Sequence, residues 1–182
     1  LSRGATSSVG DEETIPSFAS IYASDAAVHR AGHYHQHGHT GFGWAARRDL
    51  LQRIGLFDTA LSGSGDHLIA HAAVGDHDSK CIDKVLGKHT AHREQFRRYC
   101  DRFFAHTGGQ LTATEGTILH LWHGDHQNRR YSDRNVELIS LGFDPRSDLR
   151  PSDSGAWDWN SDKPELHRWA REYFAHRKED GE

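Results

Sequence analysis

An α/β fold, with a mixed sheet and flanking helices, is the class this sequence predicts, and three observations predict it. Apolar residues recur at helical spacing through 45–54 and 89–106, and each stretch runs into glycine, the residue best able to take a left-handed stop conformation. Two runs at 111–114 and 117–123 are rich in Thr, Ile and Leu, the composition of strands. With 182 residues the chain can bury one sizeable core.

The first 15 residues are polar and rich in Ser and Gly, as in a loop or linker, and are set apart as segment 1–15. A main domain is expected over 16–142, and a turn-rich segment with a C-terminal helix packed on it over 143–182. Within 15–28, Pro16, Phe18, Ile21, Tyr22 and Val28 fit either a strand or a short helix. Next comes an alternating run in which His33, His35, His37 and His39 are separated by Tyr34, Gln36 and Gly38. In an extended strand all four imidazoles would project from one face, where they could meet a transition metal; an exposed His-rich loop is the plainer alternative.

The helix over 45–54 carries its stripe on Ala46, Leu50, Leu51 and Ile54 and stops at Gly55. Leu56, Phe57 and Leu61 then anchor a short connection around Asp58. Ser62-Gly63-Ser64-Gly65 forms a flexible turn that can bring backbone close to a ligand. Asp66 follows at the head of a helix over 67–74, near the positive end of its dipole; a plain helix cap is the alternative role. Asp76-His77-Asp78 has the Asp-x-Asp pattern of a metal clamp, but it follows a helix and its Gly75 stop, so a solvated turn is expected there. The helix over 89–106 buries Phe96, Tyr99, Cys100, Phe103 and Phe104, with Arg93, Arg97, Arg98 and Arg102 on a solvated face.

The strand at 117–123 ends in Trp122-His123-Gly124, which delivers an imidazole to the carboxyl edge of a sheet, where ligands of open α/β sheets collect. A short helix ends at Leu141 and Gly142. Residues 143–162 are turn-rich and hold Trp157 and Trp159, an aromatic pair that could floor a sugar ring or pack on the domain. Pro164 starts the last helix, whose apolar face is Leu166, Trp169, Ala170, Tyr173 and Phe174.

Composition narrows the function classes. The formal net charge is −4 with neutral His, which argues against a general nucleic-acid or anionic-membrane surface. No apolar run approaches the ~18 residues of a membrane span, and the N-terminus has no signal-peptide core, so the cytoplasm is the expected compartment. Cys81 and Cys100 lack CxxC spacing, so neither a disulfide framework nor a thiolate zinc site is expected.

Order and spacing over roughly residues 16–180 resemble family 2 type glycosyltransferases of the GT-A fold, on their acceptor side. The similarity lies in Trp44-Ala-Ala-Arg-Arg-x-Leu-Leu-x-x-Ile-Gly-x-Phe-Asp58, followed by Gly63-Ser-Gly-Asp66, the Leu-His-Leu-Trp-His-Gly of 119–124, Phe143-Asp-Pro and Tyr173-Phe-x-x-Arg-x-Glu-Asp180. It departs from the family's usual Glu-Asp at the base position, since here Gly65 precedes Asp66. The resemblance implies a partial GT-A layer without its donor-binding N-terminal half, and a fragment that is inactive alone. It also implies a nucleotide-sugar donor, an unknown acceptor and a divalent metal, Mn or Mg. Asp66 becomes the catalytic base and His123 the metal ligand, with His120 and His126 as substitutes; Arg129, Arg130 and Arg134, in the loop directly after it, could pair the oxygens of the donor diphosphate, with solvated arginines the equal alternative. Trp44, Gly63, Gly65 and His67 would line the acceptor side. Two readings from other classes stand beside it: a non-catalytic His-rich metal-binding module, and a metal-dependent nuclease built on His123, His126 and Asn128.

Overall fold

A computed structural model describes residues 14–27, 34–119, 126–131 and 133–177. Helices dominate. In chain order they are α1 (Phe18–Ser24), α2 (Tyr34–His37), α3 (Arg48–Ile54), α4 (Gly65–Ala73), α5 (Lys80–Leu86), α6 (Ala91–Thr107), α7 (Arg134–Ser140), α8 (Pro145–Asp148) and α9 (Pro164–His176). A hairpin, β1 (Leu149–Pro151) with β2 (Trp157–Trp159), is the one sheet among the described residues.

Helix α4 lies at the centre because beyond its first turn, where Asp66 is exposed, its sequence leaves it no solvated face. Leu68, Ala70, His71, Ala72 and Ala73 are all buried, and the small and apolar residues that cover most of the helix surface have to be enclosed. Leu68, Ala72 and Ala73 pack with Phe57, Ile82, Leu86, Phe96, Tyr99, Cys100 and Phe103 into the main core, and the alanines let α6 approach closely. Each buried Leu or Phe stabilises this core by roughly 1.5–3 kcal/mol. On its other side Ala70 and Val74 meet Phe18 of α1. The long helix α6 follows its sequence signals: Thr90 caps it by accepting from the Arg93 N–H at 3.0 Å, and Gly108, at φ 57°, ends it. Its arginine face is not uniformly solvated, however, since Arg93 turns inward to Asp83 and to the His77 carbonyl.

A third cluster, Leu138, Phe143 and Leu166 with Leu61 and Trp169, fastens the C-terminal segment to the domain. Tyr173 of α9 donates to the Ser62 carbonyl at 2.9 Å, and Trp169 Nε1 to Glu137 at 2.7 Å. Leu166, Ala170 and Tyr173 are buried, but Phe174 stays half exposed.

The expected strands differ most from what forms. Residues 111–114 and 117–119 carry no strand, and Ile118 and Leu119 are 63 % and 74 % exposed; positions 120–123 lie outside the described residues. Thr-, Ile- and Leu-rich composition favours a pleated, half-buried surface, and it makes a strand only where a neighbour supplies that surface. The sheet appears instead where turns were expected. Pro151 and Trp157 pair antiparallel around a turn in which Ser152 N–H donates to the Ala156 carbonyl and Gly155 adopts φ 82°. Thus the expected mixed sheet with flanking helices is, among the described residues, a helical assembly with one small hairpin.

Candidate metal centre and the Asp66 turn

Two features meet at the start of α4: a buried nest of histidines on one side and an exposed carboxylate on another. His67 and His71, four residues apart, share one face of α4. Against that face come His37, the last residue of α2, and Cys81, in the first turn of α5. The ligand atoms of His37, His67, His71 and Cys81 all lie within 4.8 Å of one another. The three imidazoles pack at centroid distances of 4.4, 5.3 and 5.4 Å, with the ring of Phe18 against His37 and His71.

Local geometry aims these rings. Gly38 sits at φ 76°, and a Cβ there would come within 2.6 Å of the Pro16 carbonyl, so only glycine lets the chain turn back under α1. A parallel bridge holds that turn, with Phe18 N–H donating to the His39 carbonyl and His39 N–H to that of Pro16. His37 Nδ1 lies 3.0 Å from the Gly38 carbonyl, which can only accept, so the proton is on Nδ1. His71 Nδ1 lies 2.6 Å from Asp76 Oδ2 and donates to it in the same way. Asp76 is anchored in turn by the N–H groups of Asp78 and Ser79.

Electrostatics match this arrangement. Burial works against ionisation of Asp76, yet the His71 hydrogen bond and charge outweigh it and hold the carboxyl down at about 2. Burial lowers His67 well below the ordinary imidazole value, and burial with the nearby His71 lowers His37, so both rings are neutral at pH 7. Burial, then Asp76, raises the Cys81 thiol. The Nε2 atoms of His67 and His71 are buried without a hydrogen-bond partner, an arrangement that costs about 1–3 kcal/mol per group when nothing fills it. Three imidazoles and a thiol form the donor set of soft or borderline transition metals, not of Mn or Mg, which prefer oxygen.

Several expectations are corrected here. Asp76 is buried and hydrogen-bonded, not solvated, although Asp78 beside it is open. Residues 34–37 are helical, so the His run does not alternate on one strand face; His37 is buried while His39 takes part in the bridge at residue 17. His67 points its Nε2 into the buried nest and does not line an acceptor surface. Cys81 joins a His cluster despite having no CxxC spacing, because its partners are up to 44 residues away in the chain and only folding brings them together. The one legible trace was the i, i+4 pair His67 and His71 on an apolar helix.

Asp66 lies in the first turn of α4 and is exposed. It does not occupy the cap position, which belongs to Ser64 in a left-handed conformation. Its carboxylate faces residue 41 so closely that a Cβ on Gly41 would stand 3.0 Å from Asp66 Oδ2 and 2.7 Å from the His39 ring. Beyond Gly41 stand two open aromatics. Phe42, half exposed, stacks on His39 at 4.2 Å, and Trp44, 41 % exposed, donates from Nε1 to the Thr40 carbonyl at 2.7 Å.

The turn before Asp66 is supported from below by Arg134. That guanidinium is buried and donates to Tyr173 Oη at 3.0 Å and Ser64 Oγ at 3.1 Å, while lying over the Tyr131 ring. Gly63, at φ 107°, leaves room for it, since a Cβ would meet the guanidinium at 3.1 Å. Buried, and bonded through both terminal nitrogens to Tyr173 and Ser64, Arg134 holds the 62–65 turn in this structure rather than standing open to a diphosphate as expected. Arg129, the last residue of the 3-10 turn His126–Arg129, donates to Tyr131 Oη, and Arg130 beside it pairs with Glu137; both are half-buried. Gly65 is the first residue of α4, with ordinary space around its Cα. His120 and His123 lie outside the described residues, as does the side chain of His126. Trp159 stacks on His167 at 4.3 Å, whereas Trp157 is exposed beside Phe174 and Arg171 in a shallow cleft.

No helix among the described residues is long and apolar enough to cross a membrane. No protein-family model matches the chain, and comparison with curated proteins and with solved structures returns no match.

Proposed function

We propose that this chain is the acceptor-side portion of a cytoplasmic, inverting glycosyltransferase in which Asp66 is the general base. The observation that carries the proposal is the setting of Asp66: an exposed carboxylate in the first turn of a buried helix, against Gly41, which leaves room for it and is followed in the chain by the half-exposed rings of Phe42 and Trp44. Such rings can stack on a sugar face. Asp66 takes the proton of the acceptor hydroxyl as its oxygen bonds to the anomeric carbon of the donor; the bond from that carbon to phosphate oxygen breaks, and the nucleotide diphosphate leaves from the opposite face. His123 would bind a divalent ion, Mn or Mg, whose charge offsets that of the leaving diphosphate. Arg129 and Arg130, just after that His in the chain, are suited to bind the same phosphates once they exchange their present partners. The exposed apolar segment at 117–119, leading towards His123, suits a strand completed by a donor-binding half.

The test uses the natural polypeptide that carries this chain, with release of nucleotide diphosphate measured across a panel of nucleotide sugars. Asp66→Asn is expected to keep donor binding and the folded spectrum while lowering turnover by at least ~100-fold, because the amide cannot accept the proton. A wild-type protein that binds no nucleotide sugar, or an Asn variant with near-normal turnover, overturns the assignment.

A further inference from the structure

We propose that His37, His67, His71 and Cys81 form a structural zinc site that ties the loop bearing Phe42 and Trp44 to the helix bearing Asp66. The site brings together three separate parts of the chain: the end of α2, one face of α4 and the first turn of α5. Its four nitrogen and sulfur ligands can close a tetrahedral zinc shell as structural sites do, with one thiolate in place of the usual two to four.

The geometry is nearly assembled. With zinc bonds of ~2.0–2.1 Å to nitrogen and ~2.3 Å to sulfur, tetrahedral ligands stand ~3.3–3.6 Å apart. No pair here is farther than 4.8 Å, so closing the site needs side-chain movements on the order of 1 Å. Two of the nitrogens aimed into the nest, Nε2 of His67 and of His71, are buried and unpartnered. The hydrogen bond from His71 Nδ1 to Asp76 fixes the tautomer that leaves Nε2 for a metal, and such carboxylate–imidazole pairs commonly back a metal ligand. The Gly38 carbonyl does the same for His37. With all four positions taken by protein ligands, and Phe18 packed against His37 and His71, the ion has no open position for a reacting water. That excludes a catalytic role for the ion and leaves a mechanical one. As the sulfur–zinc bond forms, Cys81 releases its proton, and each imidazole binds through an unprotonated Nε2.

The site is independent of the sugar-transfer proposal, and its test does not use activity. The protein is purified without chelator or affinity His tag, assayed for zinc, then stripped and reloaded with cobalt(II). Expected are one zinc per chain, and for cobalt the strong visible bands of tetrahedral coordination with a thiolate charge-transfer band in the near ultraviolet. Cys81→Ser should abolish the charge-transfer band, Asp76→Asn should weaken affinity ~10–100-fold without removing the band, and surface His106→Ala should change nothing. Should Cys81→Ser fail to fold, the wild-type cobalt spectrum still decides. Weak octahedral bands, no charge transfer, or a spectrum unchanged in a folded Cys81→Ser protein overturns the site.

Discussion

Replacing Arg134 by Met tests whether the turn ahead of Asp66 is held from within. Methionine keeps much of the aliphatic stem but removes the guanidinium, with its bonds to Tyr173 Oη and Ser64 Oγ and its stacking on Tyr131. Two hydrogen bonds from a charged donor, at ~1.5 kcal/mol each, and a ring contact of ~1 kcal/mol total ~4 kcal/mol. The partners are hydroxyls and a ring, not a carboxylate, so the guanidinium also carries a desolvation cost that its removal returns. If that offsets about half, the net loss is ~2 kcal/mol. With a urea slope of ~2 kcal/mol per M, the unfolding midpoint should fall by ~1 M. Tyr173 keeps its bond to the Ser62 carbonyl, so the fold should survive while the 62–65 turn loosens. Equilibrium urea unfolding followed by tryptophan fluorescence measures the shift. A midpoint within ~0.2 M of wild type, or above it, would mean that Arg134 is not buried against the turn and the reasoning fails.

Two further outcomes follow from close contacts and from burial. Gly41→Ala puts a methyl 3.0 Å from Asp66 Oδ2 and 2.7 Å from the His39 ring, so transfer by the natural polypeptide should drop well beyond any loss of thermal stability; equal activity would show that the carboxylate need not stand where it does. His92 is buried between Phe57 and Phe143, and burial lowers it from 6.5 to about 4. Because the folded state disfavours its protonation, its contribution is fully present above pH 6.5 and is lost as pH falls towards about 4, by up to ~3 kcal/mol. His92→Phe, which suits the aromatic surroundings, should flatten that part of the stability–pH curve, and a variant curve parallel to wild type would refute the assignment.

The sequence by itself determined the helices whose signals are local. The stripe of α6, except for Phe104, which is exposed, its stop at Gly108, the Pro164 start of α9 and the Gly55 end of α3 depend on residues within a turn or two of each other, and they form where periodicity and caps expect them. The position of Asp66 at the head of a helix behind a glycine turn was legible for the same reason. Tertiary structure decided what depends on partners distant in the chain. Thr- and Ile-rich residues at 111–119 remain unpaired because a strand needs a neighbour, while Leu149–Pro151 finds one in Trp157–Trp159. Arg134 reads as a free cation next to other arginines until Tyr173 and Ser64, 39 and 70 residues away, enclose it. His67 and His71 share a helix face in any reading, but His37 and Cys81 reach them only through the Gly38 turn and the burial of α4. A nest of four donors is therefore a property of packing, which no spacing along the chain encodes.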